Sequence, residues 1–185
     1  MGNVIENWPK KKYNIIYADP PWSYWCYAGS NEKTRGGAAR HYKTQSKEWI
    51  DNLPVANIAD ENCVLFMWVT MPKLNECWEL IEKWGFTYKT AAFTWVKRNK
   101  KAQSWFFGLG RWTRANAELC LIATKGKPKR ISASVHSVVD APIRGHSQKP
   151  EEVRDRIVEL VGDLPRIELF AREKTPGWDV WGNEV

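Results

Sequence analysis

The chain has 185 residues, 43% of them hydrophobic, which is close to the usual size of one domain and enough to form a core without metals or disulfides. No apolar run approaches the roughly 18 residues that span a bilayer, and polar Asn3, Glu6 and Asn7 stand where a secretory leader needs apolar residues. The expectation is a cytoplasmic protein with one domain over residues 1–185. A formal net charge of +7 together with twelve tryptophans points to a polyanionic partner such as nucleic acid, because Lys and Arg neutralise phosphates while aromatic rings stack on unpaired bases.

Tyr13 to Ala18 is a continuous apolar run that predicts a buried strand, and it ends in Asp19-Pro20-Pro21-Trp22. Tyr24 to Ser46, rich in Gly, Ser, Arg and Lys, reads as a long loop, followed by a short helix over Lys47 to Leu53. Cys63 to Thr70 is a second strand. From Lys73 to Trp84, Leu74, Cys77, Trp78 and Ile81 recur at helical spacing, and Gly85 follows as a terminator. Ala91 to Val96 and Leu119 to Thr124 are further strands, separated by a basic and aromatic stretch from Arg98 to Ala115. A second helix spans Pro150 to Val161, with Val153, Ile157, Leu160 and Val161 on one face and Gly162 after it, and Arg166 to Phe170 is the last strand.

The strands are continuously apolar rather than alternating, which predicts a largely parallel sheet covered by helices on both faces, an α/β fold. The two long loops follow strands, where ligands of open α/β sheets bind. Cys26, Cys63, Cys77 and Cys120 are far apart and form no CxxC pair, so neither a zinc site nor a disulfide framework is expected, and no metal is assigned.

The chemistry concentrates at the end of the first strand. The exocyclic amine of adenine is a poor nucleophile because its lone pair is delocalised, so a site for it must orient that nitrogen. The Asp19 carboxylate can accept one amino hydrogen and the Pro20 carbonyl the other. Pro20 and Pro21 stiffen the turn that holds these acceptors, and Trp22 or a neighbouring Tyr such as Tyr24 would stack on the base.

In this order the four residues resemble the signature of the family of the eukaryotic messenger-RNA N6-adenosine methyltransferase catalytic subunit, the MT-A70-like proteins, with their bacterial and phage DNA adenine methyltransferase relatives. The resemblance continues through His41-Tyr42-Lys43-Thr44, Val64 to Thr70, Trp95-Val96-Lys97, Asn116 to Gly126, His146-Ser147-Gln148-Lys149-Pro150, Ile167 to Arg172 and Trp181-Gly182-Asn183. It implies a Rossmann-like, S-adenosylmethionine-dependent methyltransferase fold, circularly permuted so that the catalytic signature precedes the donor-binding segments. It also implies that Asp19, Pro20, Pro21 and Trp22 are catalytic. Asp19, Lys149, Arg172, Asn183 and Glu184 would bind the donor, and Tyr24, Tyr42 and Glu118 the target base. Glu173-Lys174 and Glu184 depart from the eukaryotic pattern, which has His-Asn after the Arg and Gln after the Asn.

DNA is favoured over RNA as acceptor because the chain is minimal and has the look of the bacterial and phage relatives. Arg111, Trp112 and Arg114 are the expected nucleic-acid contacts, and a homodimer is expected by analogy with the family's paired subunits. The alternatives are RNA, cytosine N4 or a protein amide as acceptor, and a catalytically silent nucleic-acid-binding subunit.

Overall fold

Strand β1 (Tyr13–Ala18) forms where the sequence is most continuously apolar, and Ile15, Ile16, Tyr17 and Ala18 are all buried. In the computed structural model, which describes residues 7–22, 45–108, 112–145 and 148–185, the elements that follow are α1 (Lys47–Asp51), α2 (Val55–Ile58), β2 (Ala59–Val69), a 3-10 turn (Met71–Lys73), α3 (Leu74–Lys83), β3 (Thr87–Arg98), β4 (Ala117–Lys125), β5 (Val138–Pro142), α4 (Glu152–Val161), β6 (Arg166–Leu169) and β7 (Asp179–Trp181). The five predicted strands and three predicted helices are all present. Their ends shift by a few residues where hydrogen bonding outruns the apolar run, as in β2 and β3.

The seven strands form one sheet in the order β5-β3-β4-β2-β1-β6-β7. Side-chain alternation sends neighbouring residues to opposite faces, and both faces are covered. Ile16, Ala18, Leu65 and Met67 pack with α1, α2 and α3 through Ile50, Val55, Leu80, Ile81 and Trp84. Ile15, Tyr17, Phe66 and Trp68 pack with Val153, Ile157 and Val161 of α4 and with Trp178.

The largely parallel sheet needs one correction. Four of the six strand pairings are parallel, but β4 runs antiparallel to both β2 and β3. The reason lies between β3 and β4: the described residues of the segment 99–116 hold no helix to carry a crossover, and the chain returns beside the strand it left. Two edge strands escaped the sequence reading. In β5 only Val139 and Ala141 are buried, and β7 has three residues, so neither offers a long apolar run.

The predicted loop from Arg98 to Ala115 is drawn together by isolated bridges between Arg98 and Trp105 and between Gly108 and Ala115. The loop from Tyr24 to Ser46 lies mostly outside the described residues. Cys63, Cys77 and Cys120 are buried thiols, as expected for cysteines in apolar runs. No helix among the described residues is long and apolar enough to cross a membrane.

Trp84 ties α3 to α1: it is fully buried and its indole N–H donates to the Ile50 carbonyl at 3.1 Å. Trp84→Ala therefore removes a large core ring and a tie between the two helices, and is expected to cost about 3–5 kcal/mol of stability, measured by urea unfolding.

Candidate active site

Asp19 leaves the carboxyl end of β1 with its neighbours already committed. The Trp22 backbone N–H donates to the Pro20 carbonyl at 2.7 Å, closing a three-residue turn around Pro21. Trp22 itself is 4% exposed, and its indole N–H donates to the Trp68 carbonyl at 3.2 Å. This corrects the expectation that Trp22 stacks on a base: its ring belongs to the core and anchors the turn that aims Asp19.

Three charged side chains converge next to that turn. The Lys149 ammonium donates to Asp19 Oδ2 at 2.6 Å and lies 3.4 Å from Glu118 Oε2, while Lys97 donates to Glu118 Oε1 at 2.5 Å. Lys149 also lies 5.5 Å from the centroid of the Trp68 ring. These residues come from distant parts of the chain: Lys149 precedes α4, Glu118 opens β4 and Lys97 nears the end of β3. They meet because β4 is reversed, so that its beginning lies beside the carboxyl ends of β1, β2 and β3.

The electrostatics follow from burial and pairing. Desolvation pushes the Asp19 carboxyl above its ordinary value, and the Lys149 cation opposes that push. Desolvation also acts on Glu118, but Lys149 and Lys97 together outweigh it and hold that carboxyl below its ordinary value. Lys149, expected to face the donor, is drawn instead between two carboxylates and does not line the neighbouring cleft.

That cleft opens on the other side of Asp19. It is lined by Asp19, Pro20, Pro21, Gln45, Trp49 and residues of two segments, Phe170 to Arg172 and Trp181 to Glu184. The two segments run together: Ala171 N–H donates to the Trp181 carbonyl at 3.0 Å, and Arg172 Nε donates to Glu184 Oε1 at 2.9 Å. Gly182 is required there, since a Cβ would sit 2.2 Å from the Ala171 carbonyl oxygen. Phe170 ends β6 with a left-handed φ of 62°, a conformation that costs a non-glycine residue about 1–2 kcal/mol. Clusters of such strain mark functional sites.

The structure thus brings the expected Asp19, Pro20, Pro21, Arg172, Asn183 and Glu184 around one cleft, with Lys149 and Glu118 on the far side of Asp19. Trp112, 94% exposed, and Arg114, also exposed, lie on the segment leading into β4 and do not line the cleft. Tyr24, Tyr42 and Arg111 lie outside the described residues. Sequence reasoning missed Gln45 and Trp49 as cleft residues and Lys97 as the partner of Glu118, while Phe170 and Trp181 stood within segments resembling the family's donor-binding ones without being singled out. Lys97 stood within a family segment, whereas Trp49 sits on a short helix with no motif to mark it.

A carboxylate at the end of a central strand of an open α/β sheet, beside a cleft with aromatic walls and a few polar groups, is the arrangement in which enzymes of this architecture bind small molecules. The chain belongs to the MT-A70 family, whose profile matches residues 13–184. It is 36% identical over 200 aligned positions to the type II methyltransferase M.MunI of a Mycoplasma species, covering all of this chain and 83% of that protein. It is 28% identical to the human N(6)-adenosine-methyltransferase catalytic subunit METTL3 and to a Drosophila melanogaster MT-A70-like N(6)-adenosine-methyltransferase. Those matches cover 94% of this chain but 28% and 27% of the two proteins.

Methyltransferases of this family are S-adenosylmethionine dependent. The lining of the cleft suits that molecule: it has aromatic walls, a glycine-permitted close approach of backbone, and polar groups from Asp19, Arg172, Asn183 and Glu184.

Lys149→Met is expected to move the titration of Asp19, followed by carbon-13 NMR, to higher pH, since burial and Glu118 then act on it with only the more weakly acting Arg172 opposing them. A carboxyl raised in the folded state binds its proton more tightly there, so the ionised form costs stability as pH rises through that value. The variant is therefore expected to be less stable at neutral than at mildly acidic pH.

Proposed function

We propose that this protein transfers a methyl group from S-adenosylmethionine to the exocyclic N6 nitrogen of adenine in DNA. The observation that carries this reading is the pair of acceptors at the end of β1. Lys149 occupies one oxygen of Asp19, and among the described residues no hydrogen bond reaches the other, which is the acceptor assigned to a substrate hydrogen. The Pro20 carbonyl, its direction set by the Trp22 N–H, retains a second lone pair.

When bound, S-adenosylmethionine supplies an electrophilic methyl group on a sulfonium sulfur. Asp19 and the Pro20 carbonyl each accept one hydrogen of the adenine amine, turning the nitrogen lone pair toward that methyl. The two acceptors would stabilise the positive charge that develops on the nitrogen as it takes up the methyl group. The methylated nitrogen is then acidic and needs no strong base, so its surplus proton leaves by way of Asp19 and solvent. Lys149 favours the ionised form of Asp19 against the effect of burial, and Glu118, held by Lys97, helps place the base. Arg172, Asn183 and Glu184 hold the ribose and adenine of the donor.

The strand order supports a division of labour. β1 stands between β2, β4 and β3 on one side and β6 and β7 on the other. The cleft lies toward β6 and β7. Lys100, Lys101, Trp112 and Arg114 are exposed on the segment joining β3 to β4 and are the proposed polymer surface, with Arg111. A flipped-out adenine would enter from that side, so unpaired or mismatched adenines react more readily. A homodimer whose second copy contacts the nucleic acid belongs to this proposal, and a monomer mass independent of concentration would remove it.

Similarity to a type II methyltransferase over the whole chain favours DNA. The N(6)-adenosine-methyltransferase relatives favour RNA as the second reading. The test is transfer of labelled methyl to DNA and RNA oligonucleotides, with the modified nucleoside identified by mass spectrometry. N6-methyladenine in DNA is expected. Asp19→Asn, which puts an amide where an acceptor is needed, is expected to lose about a hundredfold or more in rate. Better transfer to RNA would shift the reading to the second polymer, donor binding with no transfer to either would mean a missing partner or target sequence, and no donor binding would favour a silent subunit.

A further inference from the structure

We infer that Trp49 is the stacking platform for the purine of the methyl donor, and therefore a specificity-determining residue of the cleft; the inference rests on the proposed function. Trp49 lines the cleft together with Phe170 and Trp181. Its ring is nearly parallel to that of Trp181, at 16° with centroids 6.3 Å apart, and Phe170 packs at an angle against both, at 6.4 Å from Trp49 and 5.7 Å from Trp181. Trp8 meets Trp181 edge-on at 4.7 Å. The arrangement is an aromatic wall braced from several directions, in which Trp181 is held by its neighbours and Trp49 is contributed by a separate element.

Aromatic clusters usually serve a core, but this one differs from the core rings of the same protein. Trp68 and Trp84 are 1% and 0% exposed, whereas Trp49, Phe170 and Trp181 each keep part of their surface toward the cleft. Phe170 holds its place in a left-handed backbone conformation, which packing alone does not require.

The element that brings Trp49 is tied to the catalytic turn. Gln45 N–H donates to the Pro21 carbonyl at 3.3 Å, and the Ser46 hydroxyl accepts from Trp49 N–H at 3.1 Å, starting α1. From below, Lys47 and Lys83 both bind Asp51, at 2.7 and 2.6 Å, pinning α1 to α3.

The chemistry assigns what the wall receives. The donor must present its sulfonium end at Asp19, where transfer occurs, so its flat heteroaromatic end extends away from Asp19 along the cleft. A π face offers a purine sequence-independent attraction and an apolar lining, and the polar groups of Asn183 and Glu184 lie in the same cleft for its edge. The target base approaches from the β3 and β4 side, so the wall is available to the donor throughout.

The test uses the full chain and calorimetric titration with two probes, S-adenosylhomocysteine and 5′-methylthioadenosine, which share the purine and differ in the amino-acid end. Trp49→Leu keeps apolar bulk without a π face and is expected to weaken both probes by the same factor, about tenfold. Trp49→Phe is expected to retain near-native binding. In methyl transfer, Trp49→Leu raises the KM for the donor and leaves kcat at saturating donor near native. Undiminished binding in Trp49→Leu, equal losses in the Leu and Phe variants, or a fall in kcat at saturation would overturn the assignment. Native protein that binds neither probe would overturn it together with the proposed function.

Discussion

The arrangement of this protein depends on one constraint: a carboxylate has to be held ionised at the end of a strand that is buried on both faces. β1 is apolar throughout, and its packing against helices on each side of the sheet leaves its carboxyl end as the place where charge can emerge. There the Asp19 carboxyl is still largely desolvated, and the nearby cation of Lys149 offsets part of that cost. The lysine is then shared with Glu118, which is in turn held by Lys97. Removing any member leaves a neighbour with uncompensated charge, so the four side chains behave as a unit rather than as separate contributions.

The reversed β4 makes this unit possible. Had β3 been followed by a helical crossover, β4 would run parallel to its neighbours and Glu118, near its beginning, would lie at the opposite edge of the sheet from Asp19. The direct return through residues 99–116 instead brings the start of β4 to the catalytic edge. The same return places a basic, aromatic segment next to the site. On the other flank, β6 and β7 run parallel to β1, and their carboxyl ends build the cleft. Asp19 therefore lies between a charged half and an aromatic half, which suits a reaction that joins two bulky partners at one nitrogen.

Trp22 shows how a signature residue can work through the fold. It occupies the fourth position of a motif whose first three members face the site, yet its ring fills the core and its two N–H groups fix the Pro20 carbonyl and bind the Trp68 carbonyl. Its contribution is the rigidity of the turn. The exposed rings suited to stacking are found elsewhere, on a short helix and at the ends of the last two strands.

The sequence by itself determined the strands and helices that have long apolar runs or strong periodicity, the burial of the sheet on both faces, and the Asp19 turn, because each depends on neighbours along the chain. The resemblance carried by Asp19 to Trp22 and the later segments marked the residues that line the cleft at Arg172 and Asn183. Tertiary structure alone decided the direction of β4, the edge strands β5 and β7, and the partnerships of Lys149, Lys97 and Trp49. Each of these pairs groups far apart in the chain: Lys149 lies 130 residues from Asp19, and Trp49 meets Trp181 through the docking of a five-residue helix. No local pattern encodes such pairings, since they arise only when burial of the apolar faces has brought the strand ends together.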